Sequence, residues 1–266
     1  MNLPTKFLKI VLLSGFLFAP AVTSLSAVSL DRLSEQDIQR VKDLIIKLEP
    51  FIRERETTQT LATLTFEELY APLTEDEKQF LKGFQDIDAS AAGVKIPFRG
   101  IATGKEELVV IRGQKIKIKG EENVLPPQYL PPDVYTKYLA MMDAMQSDLG
   151  KRLYVESGYR SSAYQLYLFV YYLKNHDYSI RETVKFITLP GYSEHGSVEH
   201  QAVDFINAFG INGEENPAEF AVLEEYAWLQ DKAGQFGFVE SYPKTPAGSG
   251  ITYEPWHWRF EKMAKE

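Results

Sequence analysis

Two short blocks of the sequence concentrate residues that can bind a metal ion. The first block, SEHGSVEHQAVDF, holds His195 and Asp204, and the second, EPWHWRF, holds His257. A catalytic zinc site needs three protein ligands, usually histidines and carboxylates, and one coordination position that stays open for water. His195, Asp204 and His257 could together supply these ligands, although each of them alone is more often an ordinary surface or core-rim residue.

Glu254, three residues before His257, favours a catalytic metal site over a structural one. A water molecule that attacks a peptide bond must lose a proton, and a carboxylate can accept that proton and pass it to the leaving amine. Residues three apart in an ideal strand face opposite ways. Glu254 and His257 can therefore converge only where Pro255 lies in a turn, a bulge or a strand entry.

Arg160, in the block SGYRSSAYQ, is a candidate substrate-binding or catalytic residue. Its planar guanidinium suits a carboxylate, such as the free C-terminus of a peptide. An arginine more often pairs with an acidic side chain of its own protein, and the residue types alone favour this second interpretation.

The composition limits the classes of protein to consider. The chain has 266 residues, of which 44% are hydrophobic and 13% aromatic, enough for one substantial domain with an appendage or for two small domains. Its formal net charge of −8 argues against nucleic acid as a partner. The absence of cysteine excludes disulfide bonds, thiolate metal ligands and a lipoprotein anchor.

Residues 1–27 have the pattern of a secretory signal peptide. Lys6 and Lys9 precede an apolar run that ends near Pro20, and small residues follow. A retained membrane anchor is the alternative, but the run is shorter than the roughly 20 apolar residues that span a bilayer. We therefore predict cleavage between about Ser24 and Ser29 and export to a periplasm, the cell envelope or the extracellular space, with no integral membrane segment left in the mature chain.

Two regions are predicted before the blocks that carry chemistry. Residues 28–95 form a helical N-terminal region, because apolar residues recur at helical spacing from Leu30 to Arg55 and Thr74-Glu75-Asp76-Glu77 is a capping box. Residues 96–125 form a β-hairpin and a linker. The hairpin would pair residues 107–111 with residues 115–119, since both segments alternate apolar and polar residues.

The remaining chain mixes helices and short strands after a proline-rich boundary at residues 125–132. Since it shows no regular strand-helix repeat, we expect an α+β fold. The predicted helices are residues 133–149, 161–174, a short one capped by Ser179, and 217–236; the predicted strands are residues 152–156, 201–205, 238–242 and 256–260.

Three blocks in this order, SGYRSSAYQ, PGYSEHGSVEHQAVDF and EPWHWRF, resemble the VanY-type D-alanyl-D-alanine carboxypeptidases and the related L,D-carboxypeptidases, a family of zinc peptidases. The resemblance implies a small antiparallel sheet flanked by helices, the DD-peptidase or hedgehog-like fold, over residues 126–266. It also implies Zn²⁺ as the cofactor and a peptidoglycan stem peptide as the partner.

The family's motifs S-x-H-x-x-G-x-A-x-D and E-x-W-H assign roles by resemblance. His195, Asp204 and His257 correspond to the metal ligands, and Glu254 to the catalytic carboxylate. Arg160 corresponds to the arginine of the family's S-G-Y-R block, which points toward the substrate carboxylate and the transition state. The implied substrate-binding residues are Arg160, Ser193, Tyr159 and Gln165.

The chain departs from the middle motif. His195 and Asp204 are nine residues apart instead of seven, so either two residues are inserted in the loop or His200 has become the ligand. We favour His195 because the residues before it, PGYSE, match those before the family's histidine, and because lengthening a loop by two residues adds little loop-closure entropy. His200 is the alternative metal ligand.

The resulting functional prediction is a zinc-dependent carboxypeptidase that hydrolyses the terminal D-alanine amide bond of peptidoglycan stem peptides, after either a D or an L residue. The alternatives are a peptidoglycan endopeptidase on the same scaffold and a non-catalytic cell-wall binding module. Glu254 argues against the binding module, since a purely structural metal site needs no base.

Overall fold

The computed structural model describes residues 29–213, 216–244 and 251–262, so the predicted signal peptide lies outside the described residues. The helices are α1 Glu35–Thr57, α2 Phe66–Tyr70, α3 Glu75–Gln85, α4 Ala89–Ala92, α5 Pro132–Leu149, α6 Ser162–Tyr172, α7 Ile180–Thr183, α8 Pro217–Phe220 and α9 Glu224–Lys232. The strands are β1 Val109–Ile111, β2 Lys115–Ile118, β3 Glu121–Val124, β4 Gln128–Leu130, β5 Leu153–Ser157, β6 Ala202–Asn207, β7 Phe238–Glu240 and β8 His257–Phe260. Among the helices in these ranges, none combines the length and the apolar content needed to cross a bilayer.

The predicted helical N-terminal region is confirmed, and it shares a hydrophobic core with α6. Ser34 caps α1 by accepting a hydrogen bond from the backbone of Asp37, and Thr74 opens α3 with the predicted capping box. One continuous apolar cluster joins α1 and α3 to α6 and α7. At its centre the rings of Phe84 and Phe169 lie 6.4 Å apart. The N-terminal helices therefore stabilise the helix that follows the SGYR block.

Replacing Phe84 with alanine should lower the free energy of unfolding of the whole protein by about 3 to 5 kcal/mol, because the side chain is completely buried. Chemical denaturation followed by circular dichroism measures this loss. Ile46→Ala is the matched control. Ile46 is 67% exposed, so its substitution should change the free energy of unfolding little. A small effect of Phe84→Ala would mean that the N-terminal helices contribute little to the stability of the remainder.

The sheet that carries the metal-binding blocks has four antiparallel strands in the order β5-β6-β8-β7. One face of it packs on α5 and α9 around a second apolar cluster, in which Val155, Val203 and Phe205 are fully buried. In the register of β6 and β8, Asp204 lies opposite His257. This mixture of helices and a small antiparallel sheet confirms the predicted α+β class.

The predicted hairpin is wrong in its pairing. Strand β1 pairs with β4 inside the proline-rich stretch, whereas β2 pairs with β3. The tight turn is at Lys119 and Gly120, which both have positive φ (51° and 88°), as a two-residue hairpin loop requires. Gln114, expected in a turn, is instead buried, and its amide group bonds both the backbone N–H and the carbonyl of Val155.

The single long helix predicted over residues 217–236 is also wrong. The chain forms α8 and α9, followed by a 3₁₀ turn from Ala233 to Phe236. Leu223 has an extended backbone (φ −67°, ψ 145°) between the two helices, and its side chain packs on the core that buries Phe220. Tertiary packing here outweighs a helical periodicity that continues on both sides of the break.

Candidate active site

His195, Asp204 and His257 converge on one point. Among the described residues they form a group whose donor atoms all lie within 4.8 Å of one another. Asp204 and His257 meet because opposite residues of an antiparallel pair project from the same face of the sheet. A 3₁₀ turn from Glu194 to Gly196 brings His195 over that face, with its Nε2 3.1 Å from Oδ2 of Asp204.

Hydrogen bonds fix the orientation of each of the two imidazole rings. Nδ1 of His195 lies 2.7 Å from the carbonyl of Gly158, so this nitrogen carries the proton and Nε2 faces Asp204. Nε2 of His257 lies 3.1 Å from Oε2 of Glu194, which turns Nδ1 toward Oδ1 of Asp204 at 3.0 Å. Such outer partners are typical of metal-binding histidines.

The donor set fits a zinc ion. Nε2 of His195 and Oδ1 of Asp204 are buried, and their close polar contacts lie inside the cluster, with Oδ2 of Asp204 at 3.1 Å and Nδ1 of His257 at 3.0 Å respectively. Together with Nδ1 of His257 they direct two imidazole nitrogens and one carboxylate oxygen at a common point, which is the kind of ligand set that zinc prefers. A cation at this point would give these buried polar atoms a common partner.

The pKa values in the cluster reflect burial and the close pairing of the groups. Burial, and next the charge of Arg160, lower the pKa of His195 to about 4, so this imidazole is neutral at neutral pH. Burial would lower the pKa of His257 too, but its hydrogen bonds to Asp204 and Glu194 outweigh burial and raise it to about 10. A metal ion would have to displace that proton, so binding should release a proton.

Glu254 lies beside the cluster, as its position in the sequence suggested. Pro255 and Trp256 form a turn before β8, and the backbone N–H of His257 donates to the carbonyl of Glu254 at 3.2 Å. This turn brings Oε2 of Glu254 to 3.6 Å from Nδ1 of His257. Burial raises the pKa of Glu254 to about 7, which suits a group that accepts and returns a proton near neutral pH.

Arg160 also faces the cluster. Its Nη2 is 3.8 Å from Oδ2 of Asp204, and its backbone N–H donates to the carbonyl of His195 at 2.9 Å. The Nε atom of Arg160 is buried without a partner. Since the guanidinium is only partly engaged, donors remain for an anionic group that enters the site.

A cavity of about 1040 Å³ opens at the cluster. All four expected substrate-binding residues line it, namely Arg160, Ser193, Tyr159 and Gln165. Gln165 donates through Nε2 to the carbonyl of Thr188 and leaves its Oε1 without a partner. The hydroxyl of Tyr159 is directed away to Glu106 and the N–H of Gly104, and the residue is fully buried, so Tyr159 supports the cavity wall.

Residues from the N-terminal part of the chain line the same cavity and hydrogen-bond to the segment that carries Arg160. Glu56, Gln59 and Ala62 are among the lining residues. The carbonyl of Ala62 accepts the backbone N–H of Ser161 at 2.9 Å, directly after Arg160. The segment before the proline-rich boundary is therefore part of the site's structure, which sequence reasoning did not anticipate.

His200 lies outside the cluster, in the loop that precedes β6. Its backbone N–H donates to Oγ of Ser197, and its Nδ1 is buried without a partner. Because β6 begins only at Ala202, His200 and Asp204 do not lie on one continuous strand. Residues 197–201, between the 3₁₀ turn of His195 and strand β6, form this loop.

Sequence reasoning missed Glu194, a buried carboxylate that contacts His257. The side chain of Glu194 is 4% exposed, and its oxygens also accept from Ser241 and Arg99. One signal was present, because Arg259 is two residues after His257 and therefore on the same face of β8, where it lies 3.7 Å from Glu194. A cation on the face of a proposed metal ligand indicates a buried anion nearby.

Comparison with known proteins gives a family match. Residues 127–263 match the family described as VanY, D-alanyl-D-alanine carboxypeptidase. YodJ of Bacillus subtilis (strain 168), a protein named provisionally as a carboxypeptidase, is 30% identical over 150 residues, which cover 54% of this chain and 51% of YodJ. A D-alanyl-D-alanine carboxypeptidase of Enterococcus faecalis (strain ATCC 700802 / V583) is 40% identical over 81 residues, 30% of this chain and 26% of that protein.

This chain thus spans about half the length of the first relative and about a quarter of the second. Among solved structures, that of the LdcB LD-carboxypeptidase is 24% identical, with a TM-score of 0.46 over 62% of this chain and 74% of that one.

Proposed function

Because the chain belongs to the VanY family of D-alanyl-D-alanine carboxypeptidases, we propose that it is a zinc-dependent peptidase that removes the terminal D-alanine from peptidoglycan stem peptides. The observation that carries the proposal is the convergence of His195, Asp204 and His257 within 4.8 Å, with Glu254 beside them and a large cavity in front. A metal cluster, a carboxylate near it and an accessible cleft together fit metal-assisted hydrolysis of an amide.

In this proposal the zinc ion is held by His195, Asp204 and His257, with His195 chosen over His200. When bound, zinc lowers the pKa of water and polarises the scissile carbonyl. Glu254 accepts a proton from the attacking water through its largely buried carboxylate. It then returns the proton to the departing amine, so the residue ends the reaction in its starting state.

Arg160 and the cavity walls orient the substrate in the proposed reaction. The guanidinium of Arg160 binds the C-terminal carboxylate of the peptide or the oxyanion that develops during attack. Ser193 and the free Oε1 of Gln165 would hydrogen-bond the peptide, while Tyr159 supplies an apolar wall. These contacts place the terminal amide bond near Glu254.

The site of action follows from the substrate. Stem peptides lie outside the cytoplasmic membrane, and the pattern of Lys6, Lys9 and the apolar run of residues 10–20 is typical of an export signal. We therefore place the enzyme in the periplasm, the cell envelope or the extracellular space. Export is tested by fractionating cells that produce the full chain and sequencing the N-terminus of the mature protein.

Purified protein should shorten a muropeptide with a pentapeptide stem by one D-alanine, as read by mass spectrometry. The chelated protein should be inactive, and added zinc should restore activity, because hydrolysis depends on the metal. Cleavage of the tetrapeptide instead would assign L,D-specificity, and cleavage of a cross-linked dimer would assign an endopeptidase. Binding of muropeptide without any cleavage would contradict the proposal and favour a cell-wall binding module.

A further inference from the structure

Glu194 connects the proposed metal ligand His257 to an arginine from the N-terminal part of the chain. Its Oε2 accepts from Nε2 of His257 at 3.1 Å and from Oγ of Ser241 at 2.6 Å. Its Oε1 accepts from Nη2 of Arg99 at 3.2 Å. The carboxylate is thus held from both sides, with His257 on one oxygen and Arg99 on the other.

The position of Glu194 requires a cation. It is buried in a region that already contains the carboxylates of Asp204 and Glu254, and an unpaired buried charge is strongly destabilising. His257 would no longer supply a positive charge once its imidazole held a metal ion, which leaves two arginines among the described residues. Arg259 is the more distant partner, since its Nη1 is 3.7 Å away and its Nε and Nη2 bind Glu261 at 3.0 and 2.5 Å. Arg99 makes the closer contact.

Arg99 is itself fixed on the loop that carries His195. Its backbone N–H donates to the carbonyl of Gly191 at 2.7 Å, and the ring of the preceding Phe98 packs edge-on against Tyr192 at 5.4 Å. Gly191 has a φ of +84°, and a Cβ there would lie 2.3 Å from the Phe98 ring. The segment before Arg99 is therefore in close contact with this loop.

We propose that Arg99 is a positioning residue of the metal centre: it sets the carboxylate of Glu194, which holds Nε2 of His257 and so points Nδ1 at the site of the ion. Arg99 lies before the residues 127–263 that match the family. The N-terminal part of this chain thus completes the metal centre of the C-terminal part. This inference rests on the proposed function for the presence of a metal ion.

The test is the zinc affinity of Arg99→Gln, measured by competition with a chromophoric chelator. Loss of a direct outer partner of a metal ligand, here Glu194, typically weakens metal binding 10- to 100-fold, and Arg99 acts through Glu194, so we expect the lower end of this range, a Kd about tenfold higher than that of the unaltered protein. Arg55→Gln is the matched control. It removes an arginine whose side chain is 19% exposed, against 17% for Arg99, and which pairs with Glu68 away from the cluster.

A Kd for Arg99→Gln within twofold of that for Arg55→Gln would overturn the role of Arg99. Reduced zinc affinity in a protein without peptidase activity would support that role and count against the proposed function. Failure of the unaltered protein to bind zinc would overturn both.

Arg99→Lys provides a second variant if Arg99→Gln does not fold. Lysine keeps the charge but not the planar fork of donors, so we expect a smaller rise in Kd, about two- to fivefold. The visible absorption spectrum of the cobalt-substituted protein should also change, because the orientation of the His257 ring affects the ligand field. An unchanged Kd together with an unchanged spectrum would overturn the proposal.

Discussion

Replacing Glu254 with glutamine should lower kcat for D-alanine release by about 10²- to 10⁴-fold, the range that general acid–base catalysis supplies. Glutamine matches the shape of glutamate but cannot take up a proton from water or return one to the leaving amine. Glu254 is largely buried, and its Oε2 lies 3.6 Å from Nδ1 of His257, so its carboxylate stands next to the proposed site of the ion. The loss should therefore appear in the chemical step.

Zinc content separates a loss of chemistry from a loss of the site. Glu254 is not one of the three proposed ligands, so Glu254→Gln should still bind about one zinc ion per chain by metal analysis. Glu240→Gln is the matched control. Glu240 is a partly buried carboxylate on the same sheet, and it accepts a hydrogen bond from the hydroxyl of Tyr226 away from the cavity. Near-normal kcat in Glu254→Gln with zinc bound would show that another group acts as the base.

Local signals in the sequence were enough for most of the helices. The caps at Ser179 and Thr74 and the periodic apolar residues of α1 were correctly interpreted, since they depend on hydrogen bonds and burial within a few residues. Strand pairing was harder. The alternation in residues 107–119 identified extended segments, but pairing depended on the positive φ of Lys119 and Gly120 and on a distant partner, β4.

The functional site, too, could be predicted from the sequence only in part. His195, Asp204, His257 and Glu254 stand in recognisable blocks, and the sheet register then brings those blocks together. Arg99 and Glu194 are 95 residues apart, and no spacing or periodicity relates positions so distant. An ion pair of this kind follows only from how the N-terminal segment packs on the loop before β6, so it became visible only in three dimensions.

Replacing His195 with alanine should abolish stable zinc binding, whereas replacing His200 should leave it intact. The Nε2 atom of His195 is one of the three converging donor atoms, and its ring is held by the carbonyl of Gly158 at 2.7 Å. Losing one of three protein ligands should weaken zinc binding by more than the roughly 100-fold that an outer partner can cost. Metal analysis after dialysis measures the zinc retained by each variant, and peptidase assays on the same samples measure its activity.

His200→Ala is the matched control because it removes the same type of side chain five residues away, from the loop that precedes β6. Its Nδ1 has no hydrogen-bond partner, so the substitution breaks no side-chain bond at that atom. Normal zinc in His195→Ala with loss in His200→Ala would reverse the ligand assignment. It would mean that the loop rearranges on metal binding so that a histidine four residues before Asp204 replaces the one nine residues before it.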